Sequence, residues 1–437
     1  MKKKLITAIL IGATVLNLVA CGAKGEDKNT ATAKGGVSIS VQVEEAWLPY
    51  YEKVKETVLS ENQDANIEFI TVGSFDHLDI LESTDPTNKD VADIFVFPAD
   101  KTESLVKNQT LAALDAKGMA ERIGGFTNFE DGLSASFNMN GEYWAFPYNI
   151  ETLVGFVNSE NAKNAGIDIT KNIEFTDLSY EQMLAIVHDA WFGVAFTNSV
   201  DFKLLSKDKD GNFVSDAVKD YSELTEEQQN LFEALFNYWN EHNINSTVLW
   251  DKDAAGGYLD SKFATGAENI IRIDGPWATA NLTSIVGSEE NLEVIPLSQI
   301  TINGQPLKHW KSGWGIGANA RIEEDEKKME LATEFIEELV NPENAVDLFN
   351  ATGKILENVD PSVYDSLDDM SKKVINATYK SFETALDRPN FNGWNDAAQS
   401  WQNSLLSWAS TKPKNAEEAY NQVKSSFEAV LANEKMK

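Results

Sequence analysis

Alternating apolar and polar positions mark the first predicted strand of the chain. In residues 37–43 every second residue is valine or isoleucine, which is the period of a half-buried β-strand. Apolar residues at helical spacing follow in residues 49–59, and residues 67–72 return to a strand pattern. This strand–helix–strand order predicts two parallel strands joined by a right-handed crossover.

Strand and helix patterns then alternate along the rest of the chain. Buried strands are predicted from apolar runs at residues 93–97, 269–273 and 292–297. Thr225 and Gln228 form a capping box before one amphipathic helix, and residues 329–339 carry the apolar stripe of another. Residues 207–212 have the composition of a hairpin tip. The alternation predicts an α/β fold with at least partly parallel sheets.

The N-terminal segment has the layout of an export signal. Lysines at residues 2–4 precede an apolar run at residues 5–18, which is too short to span a bilayer as a helix. Leu18-Val19-Ala20-Cys21 resembles the lipobox of bacterial lipoproteins, which implies acylation of Cys21 after removal of a signal peptide, residues 1–20. Residues 21–36 are small and polar and predict a flexible tether. We therefore expect a lipid-anchored protein on the extracytoplasmic face of the cell membrane, in a single-membrane, Gram-positive-type cell.

Composition limits the partners and the chemistry. The chain has 437 residues, a length typical of two domains, and a formal net charge of −32 that disfavours nucleic acid and anionic lipid surfaces. Cys21 is the only cysteine, so the body has neither a disulfide nor a thiolate metal site. Most catalytic signatures are absent: there is no Gly-x-Ser-x-Gly elbow, no phosphate loop and no His-Glu-x-x-His, and no pair of histidines has metal-ligand spacing. Residues 315–320 match Gly-x-Gly-x-x-Ala, but no helix-forming run begins there, and a close strand crossing is favoured over a dinucleotide turn.

Tryptophans beside turn residues give the strongest functional signal. The chain has 11 tryptophans, and Trp277 follows Gly275-Pro276 just after a predicted strand. Glu151 ends a segment rich in aromatic residues, and Trp394 and Trp401 flank amide and carboxylate side chains. Indole rings stack on the C–H faces of pyranoses, and carboxylates accept from sugar hydroxyls. For Trp191, Trp239, Trp250 and Trp408, core packing is at least as good an explanation.

Four stretches carry a family resemblance. Residues 92–101, 140–151, 263–277 and 388–391 resemble ABC-transporter solute-binding lipoproteins of the maltose/maltodextrin-binding type. The resemblance implies a periplasmic-binding-protein-like α/β fold, with two lobes joined by a hinge and a ligand cleft between them. It places residues 37–149 plus about 297–350 in the first lobe, and about 152–296 plus 351–437 in the second.

The resemblance also implies a set of ligand-binding residues. Trp277 and Phe97 would stack on sugar rings, Glu151 would accept hydroxyls from the first hinge segment, and Asp100 and Lys101 would hydrogen-bond hydroxyls. Weaker matches add Trp394, Trp401, Glu45, Trp47, Asp201 and Phe202. Phenylalanine at position 97 and lysine at position 101 depart from the tryptophan and arginine common in the family, which leaves room for another oligosaccharide.

The leading hypothesis is a monomeric receptor, without catalytic residues or cofactor. It captures an oligosaccharide such as maltose or maltodextrin by hinge closure and delivers it to the transmembrane subunits of an ABC permease. Two alternatives stay open. One is a surface glycoside hydrolase that uses two carboxylates. The other is the same fold with a peptide or a polyamine as its ligand.

Overall fold

A computed structural model describes residues 36–434, except residues 390 and 392. The predicted signal peptide, Cys21 and the tether up to residue 35 lie outside the described residues. In the described part of the chain, no helix is both long enough and apolar enough to cross a membrane.

The strands, in chain order, are short apart from one. They are β1 (Ser38–Val43), β2 (Asn66–Thr71), β3 (Ile94–Pro98), β4 (Leu111–Ala112), β5 (Asn138–Met139), β6 (Glu142–Tyr143), β7 (Phe146–Glu151), β8 (Val154–Asn158), β9 (Ile173–Glu174), β10 (Met183–Leu184), β11 (Ser206–Lys207), β12 (Phe213–Val214), β13 (Ile271–Asp274), β14 (Leu292–Pro296), β15 (Ile300–Ile302), β16 (Gln305–Pro306), β17 (Trp310–Asn319) and β18 (Leu386–Asp387).

The α-helices lie between these strands and dominate the C-terminal part. They are α1 (Leu48–Glu61), α2 (Ser74–Ser83), α3 (Thr102–Lys107), α4 (Ala116–Ile123), α5 (Ser159–Ala165), α6 (Ala190–Ser199), α7 (Glu226–Ile244), α8 (Ala255–Phe263), α9 (Thr279–Val286), α10 (Glu326–Leu339), α11 (Ala345–Thr352), α12 (Asp369–Glu383), α13 (Trp394–Thr411) and α14 (Ala416–Glu434).

The first lobe is built on a mixed sheet with the order β18-β17-β3-β1-β2, in which β4 and β7 also pair with β17. The strands β1 and β2 are parallel, with Ser38 opposite Asn66, which confirms the predicted strand–helix–strand unit. β17 runs antiparallel to β3 and to β7. Its glycines permit this packing, because a Cβ on Gly315 would lie 2.6 Å from the Phe137 ring. The predicted close strand crossing at residues 315–320 is confirmed.

The second lobe contains the sheet β10-β13-β8-β14 and the smaller sheet β16-β15-β9. Helix α7 begins with the predicted capping box: Gln228 N donates to Thr225 Oγ1, and Thr225 N donates to Gln228 Oε1, both at 3.3 Å. The predicted hairpin is also present, since β11 and β12 are antiparallel. The second hydrophobic core includes Trp239, Trp401 and Trp408.

The chain passes between the two cores in the strand pair β7–β8 and again in β17. Ile150 belongs to the first core and Leu153 to the second. In β17, Trp310 belongs to the second core and Trp314 to the first. Ser312 lies opposite Glu151 in the pairing of β17 with β7, so the two passages run side by side.

The lobe boundaries expected in the last third of the chain need correction. Residues 297–310 were expected in the first lobe, but Leu297, Ile300 and Leu307 pack in the second core. Residues after 350 were expected in the second lobe, but Ile355 and Tyr364 pack in the first core. The apolar pattern of a segment shows that the segment is buried, but it does not show which of the two cores the segment enters. Both segments were therefore expected in the other lobe.

Candidate functional site

The larger of two cavities in the cleft, about 620 Å³, lies at the first passage between the lobes. Asn149 and Glu151 of β7 line it from the first lobe, and Trp277 lines it from the second. Trp277 is 51% exposed, although most tryptophans of the protein are buried or partly buried. The cavity therefore has an exposed indole ring and a carboxylate among its lining residues.

The turn after β13 holds Trp277 in place. Arg272 pairs with Asp274 at 2.9 Å, and Gly275 N donates to Asp274 Oδ1 at 2.9 Å. Pro276 starts a short 3₁₀ turn, Pro276–Ala278, that leads into α9. A Cβ at position 275 would meet the Trp277 ring at 2.1 Å, so only glycine allows the ring to fold back over this turn. The predicted position of Trp277, between a strand end and a helix start, is confirmed.

Glu151 is held from the neighbouring strand. Trp314 Nε1 donates to Glu151 Oε2 at 3.2 Å. Burial raises the pKa of the Glu151 carboxyl, while Lys354, the Trp314 hydrogen bond and Arg388 oppose the shift. Phe75, an exposed residue at the start of α2, packs edge-on against Trp314 with ring centroids 5.0 Å apart.

Lys354 places a positive charge over aromatic rings in the same cavity. Its Nζ lies 4.9 Å from the Trp314 ring, 5.4 Å from Trp47 and 6.0 Å from Tyr148. Burial lowers the pKa of the Lys354 ammonium, and the charges of Glu151 and Glu44 oppose that shift. Lys354 comes one residue after Gly353, the C-cap of α11, and no motif had pointed to it.

The second cavity, about 390 Å³, is lined by an ion pair, three tryptophans and several polar side chains. Arg388 Nη2 lies 3.1 Å from Asp100 Oδ2. The Arg388 guanidinium carbon lies 5.0 Å from the Trp191 ring and 5.4 Å from the Trp310 ring. Burial lowers the pKa of Arg388, whereas Asp100 and Glu151 raise it. The full lining is Asp100, Asp189, Ala190, Trp191, Trp310, Arg388, Trp394, Asn395, Ala398, Gln399 and Gln402.

A pair of indoles connects the two cavities. The rings of Trp191 and Trp277 have centroids 6.4 Å apart and are tilted by 44°. Trp191 is positioned by the N-cap of α6, where its backbone N donates to Asp189 Oδ1 at 2.8 Å. Trp191 and Trp310 were not among the predicted ligand-binding residues. The cap at Asp189 is a signal that could have placed Trp191 at a helix start, as the turn did for Trp277.

Three predicted contacts are core residues instead. Phe97 is fully buried, with its ring centroid 5.9 Å from that of Phe137. Trp401 is fully buried and its Nε1 donates to Val187 O at 2.9 Å. Phe202 packs against Phe232 with centroids 5.2 Å apart. All three rings are enclosed by core side chains in the described structure.

The remaining predicted residues fall into two groups. Asp100 and Trp394 line the second cavity, and Trp47 lies beneath Lys354 next to the first. Lys101 instead pairs with Glu82 at 2.8 Å and lines neither cavity. Glu45 is exposed on a short 3₁₀ helix before α1. Asp201, which has a positive φ of 51°, lines a separate pocket of about 180 Å³ behind Trp310 and Trp394.

Among the described residues, no group of three or more histidine, cysteine, aspartate or glutamate side chains is placed to hold a metal ion. The polar groups of the cleft are carboxylates, an ammonium, a guanidinium and amides, which act as hydrogen-bond donors and acceptors.

An aromatic and polar cleft between two α/β lobes, floored by the strands that join them, defines a two-lobed ligand-binding protein. Residues 59–378 match the family described as bacterial extracellular solute-binding protein. The chain belongs to this family, as its resemblance to solute-binding lipoproteins predicted.

Individual relatives point in the same direction. The chain is 24% identical over 398 residues to the maltodextrin-binding protein MdxE of Bacillus subtilis (strain 168), a match that covers 86% of this chain and 85% of MdxE. The structure of Listeria monocytogenes MalE in complex with maltose is similar, with a TM-score of 0.71 and 16% identity over 92% of this chain and 99% of MalE. Streptococcus pneumoniae MalX in complex with maltopentaose gives a TM-score of 0.66 and 18% identity over 90% and 99%. These structures confirm the predicted two-lobed fold.

Proposed function

We propose that the protein captures an oligosaccharide of the maltose/maltodextrin class in the cleft between its lobes. The observation that carries the proposal is the half-exposed Trp277 ring beside Glu151 in the larger cavity. A stacking face next to an acceptor carboxylate matches the two surfaces of a pyranose. The names of MdxE and of the MalE and MalX complexes, which refer to maltodextrin, maltose and maltopentaose, support this ligand class.

Closure of the lobes is the proposed mechanism of capture. Trp277 belongs to the second lobe, whereas Glu151 lies on the strand that joins the two lobes. A ligand that touches both is bound more tightly when the lobes approach, and this difference in affinity shifts the population toward the closed state. Opening then releases the ligand. In the proposed pathway the closed protein docks on the transmembrane subunits of an ABC permease, which receive the sugar.

Binding and release, without bond cleavage, are part of the proposal. In the larger cavity the Glu151 carboxylate already accepts a hydrogen bond from Trp314 Nε1, as a fixed hydrogen-bond acceptor would. Prolonged incubation with maltodextrins should release no shorter sugars. Release that disappears when Glu151 is replaced by glutamine would identify an enzyme instead.

Calorimetry with the full chain tests the ligand class. We expect saturable heat with maltose and longer maltodextrins, and none with oligopeptides or with spermidine. Cellodextrins of matched length serve as the control for glucose polymers of another linkage. The proposal is wrong if no oligosaccharide binds at millimolar concentration, or if a peptide or polyamine binds in its place.

Lipid anchoring through Cys21 is the proposed basis of membrane association in a single-membrane cell. The lipobox-like Leu18-Val19-Ala20-Cys21 supports it. A Cys21→Ser variant should move from the membrane fraction to the medium, while its sugar affinity stays unchanged. Continued tight association of this variant with membranes would contradict the anchor and leave the ligand class unaffected.

A further inference from the structure

Arg388 lines the smaller cavity and also contacts the strand pair that borders the larger one. Its Nη1 donates to Ser312 Oγ at 3.1 Å, and Ser312 is the residue of β17 paired with Glu151 of β7. Glu151 lines the larger cavity, whereas Arg388 lines the smaller one. The Arg388 side chain therefore contacts β17 at the position where that strand pairs with Glu151.

Contacts on several sides fix this position. Nη2 pairs with Asp100 of the first lobe, and the guanidinium covers faces of Trp191 and Trp310 on the other side. The Arg388 side chain is only 11% exposed, and its Nε is buried without a hydrogen-bond partner. A long side chain anchored by a strand hydroxyl, a carboxylate and two rings acts as a wall rather than as a mobile surface arginine.

We propose that Arg388 is a specificity-determining residue that sets the length of the bound oligosaccharide by separating the two cavities. This inference rests on the proposed oligosaccharide function. With Arg388 in place, sugar units fill the larger cavity, and the indole faces in the smaller cavity stay covered by the guanidinium. Without it, the ring faces of Trp191 and Trp310 that the guanidinium covers become free, Trp191 lies next to Trp277, and the chain of sugar units can extend.

Calorimetry with maltose, maltotriose, maltopentaose and maltoheptaose tests whether Arg388 limits the length of the bound sugar. For the wild-type protein the affinity should stop rising at a short member of the series. In Arg388→Ala the affinity for maltoheptaose relative to maltose should rise about tenfold, as expected from one added ring stack. The matched variant Arg388→Met keeps a long side chain without charge, and it should retain the length dependence of the wild type.

The same length dependence in Arg388→Ala and wild type would overturn the proposal, and so would an equal shift in both variants, because charge rather than size would then be responsible. Arg388→Ser replaces Arg388→Ala if the latter fails to fold.

A second readout does not need the sugar. Acrylamide should quench the tryptophan emission of Arg388→Ala more strongly than that of wild type or Arg388→Met, since Trp191 and Trp310 lose their cover. Unchanged quenching would refute the proposal that Arg388 covers Trp191 and Trp310, whatever sugar the protein binds. Failure of all maltodextrins to bind wild type, together with increased quenching, would instead refute the proposed ligand class alone.

Discussion

Glu151 accepts its hydrogen bond from Trp314, which lies 163 residues further along the chain. Trp277 depends in the same way on its surroundings, since the Arg272–Asp274 pair and Gly275 shape the turn that exposes its ring. At the scale of single residues, the cleft is thus a set of side chains whose directions are fixed by partners on other elements.

Replacement of Trp277 by alanine should weaken maltodextrin binding by about 1–3 kcal/mol, because a large stacking surface in the cleft is lost. The melting temperature should change little, since the ring is half-exposed and outside both main cores. Calorimetry measures the affinity, and thermal unfolding monitored by circular dichroism measures the stability.

The matched control is Lys101→Ala, at a position also predicted from the sequence but paired with Glu82 outside the cavities. We expect its affinity to equal that of wild type. Unchanged affinity in Trp277→Ala with a sharp fall in melting temperature would show that Trp277 is a structural residue.

Sequence patterns located the cleft residues that stand next to a turn or a strand end. Trp277 was predicted because Gly275 and Pro276 mark a turn just after a strand. Glu151 was noted at the end of an aromatic segment, and Asp100 was implied by the family resemblance alone. Phe97 and Trp401 are buried, whereas Trp191 and Trp310 line the smaller cavity without having been predicted to do so. The sequence does not show whether an aromatic ring faces the core or the cleft. The positions of Lys354 and Arg388 in the cleft could not be predicted from the sequence either, since both side chains contact aromatic rings on distant elements.

Among the elements, β17 links fold and site most directly. It begins with Trp310 in the second core, passes Ser312 opposite Glu151, and delivers Trp314 to the first core. The same strand then pairs with β3 through glycines that let the Phe137 and Phe97 rings approach. Any substitution that displaces β17 from its neighbouring strands should lower both the stability of the protein and its affinity for the ligand.

Gly315→Ala should destabilise the protein by about 1–3 kcal/mol, because the added methyl would lie 2.6 Å from the Phe137 ring and 2.9 Å from Ala145 Cβ. Gly257→Ala is the matched control, since this exposed glycine in α8 has no atom within 4 Å of the new methyl group. We expect the control to be neutral or slightly stabilising, because alanine favours the helix. Urea unfolding measures both, and equal midpoints for the two variants would contradict the close packing of β17.

The elements themselves were largely predictable, whereas their assignment to lobes was not. Period-two alternation found β1, and the apolar runs found β3 and β14, because local geometry sets those patterns. Whether residues 297–310 pack on one core or the other depends on contacts made far away in sequence, and hydrophobicity alone carries no such information.

At the scale of the whole molecule, acidity is the dominant electrostatic property, with a formal net charge of −32. One acidic side chain nevertheless has a pKa close to neutral pH. Burial raises the pKa of Glu357 to about 7, while the hydrogen bond from Leu133 N and the charge of Lys311 act against the shift. Its Oε2 is buried without a hydrogen-bond partner.

The contribution of Glu357 to stability should therefore fall as pH rises from about 4.5, the ordinary pKa of glutamate, to about 7. In this window the native protein retains a proton on Glu357 that the unfolded chain releases, so raising the pH favours unfolding. The effect is at most about 3 kcal/mol. Glu357→Gln, which stays neutral, should lose this slope when urea unfolding is followed across the window.

Buried histidines make stability rise with pH, which is opposite to the effect of Glu357. The stability of wild type must therefore be compared with that of Glu357→Gln at each pH. Burial lowers the pKa of His77 and of His242 to about 4, so the unfolded chain binds more protons than the native protein between pH 4 and 6.5. Subtracting the variant from the wild type removes this common contribution. A difference that is independent of pH would show that Glu357 is ionised throughout.

The discontinuous build of the first lobe has a consequence for synthesis and export. β17 stands next to β3 in the sheet, and Arg321 just beyond it pairs with Asp93, 228 residues earlier in the chain. During vectorial emergence from a ribosome or a translocation channel, the early strands must wait for the whole intervening lobe before their sheet is complete. Such high contact order slows folding. Slow folding keeps a nascent chain unfolded, and a secretion channel transports unfolded chains. The late position of β17 in the sequence should therefore delay folding of the first lobe until most of the chain has emerged.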